Sequence, residues 1–393
     1  MGLLFDLAGV RITIVVGGIF LFAGWFGVYL GSISAIPTNY IFMGFFMFIQ
    51  GNGSNAIYTA ALAGNVKKFS AKARGTIVGI LVSMFGLSSA VFSPIYVHVF
   101  DSNVQDFLLF FSICLPLIAF SGILFISPAS IASYAPLPPI DPLLDEEKKK
   151  AEKKAEGWQG VPIKEEINSL TVLKRVDFWI LFVVFMLGAG IGLTFINNLG
   201  TIVESMGGDS ASTFVTILSV FNCGGRLIFG FSSDVIVKFK IIPRAGCLAF
   251  CVFLIGLSQI YMIFVVTSDS VYYLLPAVAT VGLAYGGIMS VSPALTNELF
   301  GQKYFGGNWS LVRISPAISS FFLSTLLTGQ IYDHFATNNG ASCYQWACFG
   351  WSFFSGCFIA LFALILCIIL TIRWKLFEKK LESGIISNKS PLV

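Results

Sequence analysis

Charge is what this 393-residue chain has least of: Asp, Glu, Lys and Arg make up only 11% of it, where a soluble domain carries about 25%. Together with 56% hydrophobic residues and a mean hydropathy of +0.84, that scarcity excludes an ordinary soluble domain. Histidine is rarer still, with two copies, and neither has a second ligand at metal spacing. His98 and His334 stand alone and read as interfacial residues. No Ser/His/Asp set, metal-ligand cluster or phosphate-binding Gly-rich loop lies outside the apolar stretches, so neither an enzyme nor a cofactor is expected. A secretory leader is lacking too, because residues 1–11 have no basic start, short apolar core and small-residue cleavage site, and the first apolar stretch is expected to stay as an anchor. No Asn-x-Ser/Thr acceptor falls in an outer loop, so no N-glycan is expected.

What is present is apolar length. Ten stretches, 12–31, 40–64, 75–100, 107–127, 178–203, 213–230, 245–266, 271–295, 309–332 and 346–372, each approach the ~20 residues a helix needs to cross a bilayer. The loops 32–39, 101–106, 204–212, 267–270 and 333–345 contain no Lys or Arg. The alternate loops hold Lys67, Lys68, Lys72, Arg74, the run 148–154, Lys238, Lys240, Arg244 and Lys303, with Arg11 at the start and Arg373, Lys375, Lys379 and Lys380 in the tail. The positive-inside rule makes this second set cytoplasmic, with both termini. The net charge of +4 is therefore sidedness, and no nucleic-acid partner is expected. Plasma, vacuolar and other organellar membranes all fit this orientation. Of eight cysteines, six sit in apolar runs as small hydrophobes. Cys343 and Cys348, at the last outer loop, suit a disulfide or two free thiols.

Residues 128–176 divide the chain. A Pro-rich entry and a dense mixed-charge run read as a solvated cytoplasmic linker between a bundle at 1–127 and a six-helix bundle at 177–373, with a cytoplasmic tail at 374–393. The opening Gly2-Leu-Leu-Phe-Asp6-Leu-Ala-Gly9-Val-Arg11 shares its Gly-x-x-x-Asp spacing with Gly230-Phe-Ser-Ser-Asp234, and six spans separate the copies. This spacing resembles the signature loop after the second helix of each half in the major facilitator superfamily. The resemblance implies an all-α membrane protein of two pseudo-repeated bundles, with ten of the usual twelve transmembrane helices. The first two helices would then be absent, as in a truncated transporter or incomplete gene model. Residues 55–62, 69–81, 177–182, 190–200, 212–215, 222–230, 329–333 and 343–349, in order, further resemble the nodulin-like group, near the monocarboxylate and oxalate/formate porters.

Arg226 is the prime functional candidate. Related carboxylate porters are similar in placing an arginine one turn before the signature glycine, where it binds the substrate carboxylate, and a planar guanidinium can donate two parallel hydrogen bonds to such a group. The bland alternative is that Arg226 snorkels to the boundary or pairs with Asp234; Asp234 lies two turns away, which favours a cavity. Asn222 shares its helical face one turn earlier. Monocarboxylate porters carry an acid there, and Asn cannot titrate.

In the second span Gln50, Asn52, Asn55 and Tyr58 are too polar for lipid and should face protein or water, whereas Gly51 and Gly53 read as packing positions. The superfamily's fourth-helix arginine corresponds to Met47, so its usual latch to the first signature loop is expected to be broken. One of Asn197 and Asn198 is expected to face the pathway, since adjacent helical residues diverge by 100°. Gly2, Asp6, Gly9, Arg11, Gly230, Asp234 and Glu298 are assigned to gating. Arg313 is more simply an interfacial cation than a second carboxylate ligand. Gly75-x-x-x-Gly79-x-x-x-Ser83 and Gly282-x-x-x-Gly286 allow close helix approach. The leading expectation is a monomeric secondary transporter of a small organic anion in the lipid bilayer, working by alternating access. Its rival is a non-transporting sensor or degenerate paralogue.

Overall fold

The computed structural model describes residues 1–68, 74–124, 166–208, 211–268, 270–336 and 346–382. The charged run of the expected linker, Cys343 and the last eleven residues of the tail lie outside the described residues. Ten long helices follow one another: α1 (Gly2–Ser32), α2 (Tyr40–Lys68), α3 (Arg74–His98), α4 (Val104–Leu124), α5 (Val176–Ser205), α6 (Ser212–Lys238), α7 (Arg244–Val265), α8 (Leu275–Phe300), α9 (Phe305–Phe335) and α10 (Trp346–Glu382). No strand occurs among the described residues.

Eight of the candidate spans are long and apolar enough to cross a membrane by length and composition. α2 is not among them although it has 29 residues, because Gln50, Asn52, Ser54 and Asn55 interrupt its apolar run. Among the described residues, α3 includes the apolar stretch Gly75–Ser88. Exposed Leu, Ile and Phe side chains on these helices, such as Phe22, Phe264 and Phe358, suit contact with hydrocarbon.

The chain forms two compact units. The first comprises Met1–Ala71, Val91–Pro162 and Gln302–Ser310. Within it α1 and α2 pack antiparallel along glycines at heptad spacing. A Cβ on Gly17 would stand 3.1 Å from the Gly53 carbonyl, one on Gly24 2.5 Å from the Gln50 nitrogen, and one on Gly31 2.6 Å from Met43 Sδ. The partners descend as α1 ascends, so backbone meets backbone at Gly17 and Gly24, and the Met43 side chain fills the space at Gly31. Gly53 is thus a packing residue as expected. Gly51 is not, since a Cβ there would meet nothing within 4 Å. A ring cluster closes the other side, with Phe107 and Phe111 centroids 4.3 Å apart and Trp25 at 5.3 Å from Phe111. The signature segment is helical rather than a loop, broken only at Gly9, whose φ of 79° and ψ of −179° a side chain would oppose.

The second unit comprises Lys72–Ala90, Ile163–Gly301 and Leu311–Val393. Its most buried span is Val271–Phe300, with 67% of that span's apolar window inside the protein. Phe195, Leu218, Met262, Val278 and Phe349 belong to one core cluster there. α6 continues past Gly230 to Lys238, because no Gly or Pro interrupts residues 231–238, and Asp234 therefore sits on a helix. α9 is irregular, being π-helical over Ser320–Thr328. α10 runs on to Glu382, beyond the apolar stretch, and Arg373 there donates to Asp177 at 2.6 Å. Cys348 is disulfide-bonded.

Candidate functional site

Arg226 lies on α6 at 2% exposure. Its Nε donates to Asn222 Oδ1 at 3.0 Å, as their one-turn spacing predicts. Nη1 donates to the Val82 carbonyl of α3, and the guanidinium carbon stands 5.5 Å from the centre of the Phe85 ring, within cation–π range. Gly86 makes the room, since a Cβ on it would stand 3.3 Å from Arg226 Nε. Such burial is the opposite of snorkelling, in which the charged head stays in water. The neighbouring acid is engaged elsewhere: Asp234 pairs with Arg244.

The backbone of α6 is held between two glycine rows, both visible in the sequence as small-residue repeats. On α3, a Cβ on Gly79 would stand 2.6 Å from the Arg226 carbonyl. On α8, a Cβ on Gly282 would stand 2.7 Å from the Leu218 carbonyl, and one on Gly286 would strike the Asn222 carbonyl and lie 3.0 Å from the Arg226 nitrogen. Interhelical distance, and with it the depth of Arg226 and Asn222, is set by hydrogen atoms where other residues carry methyl groups.

At the other end of α6, Arg244 is 1% exposed and gathers three partners. Its Nη2 donates to Asp234 Oδ1 at 2.9 Å, its Nε to Glu298 Oε1 at 2.7 Å and its Nη1 to Ser233 Oγ at 2.6 Å. Asp234 also caps α3, accepting from the Gly75 nitrogen at 2.9 Å, the Thr76 nitrogen at 2.6 Å and the Thr76 hydroxyl at 2.8 Å. A carboxylate at a helix N-terminus meets unsatisfied N–H groups and the positive end of the dipole. Sequence reasoning paired Glu298 with gating but counted Arg244 only as a marker of sidedness. The available signal was its position directly after Pro243 at the start of a span, with acids at Asp234 and Glu298 on the same membrane face.

The first signature copy repeats the arrangement in its own unit. Asp6 Oδ2 accepts from the Gly307 nitrogen at 2.6 Å at the start of α9, and a Cβ on Gly2 would strike the Gly306 carbonyl. Gly-x-x-x-Asp thus supplies a glycine for backbone approach and, one turn on, a carboxylate for the facing helix N-terminus. Asp6→Asn keeps the shape and removes the charge. It is expected to destabilise by about 1 kcal/mol, read as a lower Tm of the detergent-purified protein, whereas an unchanged Tm would show that the charge contributes nothing. Arg11 lies exposed beyond the Gly9 break, and Met47, where the superfamily's arginine is expected, is 46% exposed.

Asn197 and Asn198 bond to another helix, and Gln50 and Asn52 within their own. Asn197 Nδ2 donates to Ser320 Oγ at 3.0 Å and Ser324 Oγ at 3.4 Å, and Asn198 Nδ2 to the Thr194 carbonyl at 2.8 Å and Ser324 Oγ at 3.0 Å. Both therefore attach to the π-helical part of α9. Gln50 Nε2 donates to Ser54 Oγ at 3.2 Å and Asn52 Nδ2 to the Phe48 carbonyl at 2.9 Å, within α2, which also carries the partly buried Asn55 and Tyr58. Arg313, at the start of the second segment of α9, is partly buried.

Residues 160–379 match the family described as NFD4, C-terminal domain, and residues 1–136 match the family described as Nodulin-like. The chain is 30% identical over 173 residues to Protein NUCLEAR FUSION DEFECTIVE 4 of Arabidopsis thaliana, covering 44% of this chain and 29% of that protein. It is 27% identical over 271 residues to Probable transporter MCH1 of Yarrowia lipolytica, covering 64% of this chain and 51% of that protein. The matches thus span about half or less of these relatives' own length. The solved major facilitator superfamily proton:xylose symporter XylE superposes with a TM-score of 0.65 at 11% identity, over 93% of this chain and 80% of that one.

Proposed function

This chain belongs to the family with an NFD4 C-terminal domain and a nodulin-like N-terminal part, a multi-pass membrane protein of the major facilitator fold, and on that premise we propose that it is a secondary transporter of a small organic anion. Family and fold are those of transporters, not enzymes. In such folds the solute is moved by rocking of the two halves about a central site. The observation that carries the anionic assignment is the burial of Arg226, whose Nε donates to the neutral Asn222 and whose Nη1 donates to the Val82 carbonyl. An arginine inside a span costs at least ~2.5 kcal/mol at a helix centre and marks a solute pathway by default.

In this reading Arg226 receives the carboxylate of a monocarboxylate-like solute and Asn222 orients the guanidinium. Asn197, Asn198, Gln50, Asn52, Asn55 and Tyr58 supply neutral hydrogen-bonding groups to the solute. Gly2, Asp6, Gly9, Arg11, Gly230, Asp234 and Glu298 form cytoplasmic gates, with Arg244 added to the second. Both termini face the cytosol, and residues 128–176 link the halves.

Uptake of labelled lactate, pyruvate, formate and oxalate into proteoliposomes containing the full chain tests this. At least one anion should accumulate, and Arg226→Ala should bring it to background. Equal uptake of every anion by the variant and the parent would remove Arg226 from the pathway, and absence of uptake of any solute would favour the non-transporting sensor.

A further inference from the structure

The start of α5 carries an outward apolar row that the packing of the second unit leaves bare. The segment before it is docked by its inner side: the Ile167 nitrogen donates to the Phe300 carbonyl at the end of α8 at 3.0 Å, and Ile167, Ser169 and Val172 are buried. Its outer side is apolar as well. Leu170, Leu173, Val176 and Trp179 are 73%, 38%, 60% and 49% exposed. They recur every third residue around the short 3₁₀ helix Val172–Lys174, a spacing that stacks side chains on one face. The Trp179 indole N–H donates to the Leu173 carbonyl at 2.8 Å, which ties this segment to the first turn of α5.

α10 meets the same corner. Arg373 Nε donates to Asp177 Oδ1 at 2.6 Å, yet the Arg373 side chain stays 44% exposed. Along α10 the exposed side chains of Phe358, Phe362, Ile365, Ile369, Ile372 and Leu376 follow one another at intervals of three or four residues, which makes one continuous stripe. That stripe begins on the part of α10 suited to hydrocarbon and ends among Arg373, Lys375 and Lys379, all exposed. Residues 166–179 and 372–379 together hold five cations, Lys174, Arg175, Arg373, Lys375 and Lys379, against three acids, Glu166, Asp177 and Glu378. Asp177 is already bonded to Arg373.

We propose that this corner is a docking surface for anionic phospholipids, with Leu170, Leu173, Val176 and Leu376 in the acyl boundary and Lys174, Arg373, Lys375 and Lys379 on the headgroup phosphates. An exposed tryptophan suits the headgroup level, long cationic side chains reach from an apolar edge to a charged layer, and basic residues adjoining a span attract anionic lipid. Continuity of the stripe with the hydrocarbon-facing surface of α10 selects lipid over a soluble acidic partner.

Thermal unfolding of the detergent-purified full chain tests the surface without reference to transport. Phosphatidylglycerol added to the micelles should raise Tm by about 2 °C or more, and phosphatidylcholine and glycerol phosphate should not. The shift should vanish in about 1 M NaCl, where charges are screened within about 3 Å. The combined variant Lys174→Gln, Lys375→Gln, Lys379→Gln alters only exposed side chains and should fold as the parent does while losing at least half of the shift. Phosphatidylglycerol with brominated acyl chains should quench a larger fraction of the tryptophan emission in the parent than in Trp179→Phe. Equal Tm in the two lipids would mean that no anionic headgroup is held, and a shift unchanged in the lysine variant would place the lipid elsewhere. A glycerol phosphate shift as large as that of phosphatidylglycerol would make this a site for a free anion, and equal quenching of parent and Trp179→Phe would take the apolar row out of the bilayer. Each of these results overturns the proposal.

Discussion

Replacing Arg244 with alanine is expected to destabilise the folded protein by about 3–5 kcal/mol, the range for removing one partner from a buried ion pair. The substitution leaves Asp234 and Glu298, both with side chains 6% exposed, without the guanidinium that neutralises them. Asp234 retains its bonds to Gly75 and Thr76. Lysine restores the charge but not the planar fork that reaches Asp234, Glu298 and Ser233 together, and Arg244→Lys should recover only part of the stability. Combining Arg244→Met with Glu298→Gln and Asp234→Asn removes all three charges at once. It should be more stable than Arg244→Ala alone, because no uncompensated charge stays buried. The measurement is the loss of monodisperse protein on heating in detergent. An Arg244→Ala protein as stable as the parent would show that the three side chains are solvated in the membrane.

The second large effect concerns the glycine rows beside α6, and adjacent positions separate it from a general intolerance of substitution. A Cβ on Gly225 would strike the Leu283 carbonyl and one on Gly286 the Asn222 carbonyl, both backbone atoms, whereas a Cβ on Gly224 would meet nothing within 4 Å. Gly225→Ala and Gly286→Ala therefore require α6 and α8 to separate by on the order of 1 Å in a close-packed interior. Overpacking of this kind costs about 1–3 kcal/mol, and it displaces Arg226 and Asn222 relative to Val82 and Phe85. Anion uptake should fall at least about tenfold. Gly224→Ala, one residue away on the same helix, should leave uptake intact and raise helix stability by about 0.5–1 kcal/mol. Equal behaviour of the two alanine variants of Gly224 and Gly225 would contradict the packing described for this helix.

Much of the architecture was legible before any tertiary contact was known. The ten apolar stretches all became helices, and the paired Gly-x-x-x-Asp spacings became two equivalent dockings of a carboxylate onto a helix N-terminus. The closeness of Arg226 and Asn222 followed from their four-residue spacing alone. Other features were not legible. Gly51 and Gly53 look alike in sequence, yet only Gly53 faces the backbone of α1. Arg244 looked like any other cytoplasmic cation, because its partners lie 10 and 54 residues away.

Composition and periodicity determined class, helix placement and expected sidedness, because bilayer insertion acts on local stretches of about twenty residues and is read from one segment at a time. Tertiary structure alone decided which acid neutralises which base. Coulomb energies and hydrogen bonds depend on separations of a few ångströms between segments far apart in the chain, and only packing places Asp234 against Arg244 and Arg226 against Val82.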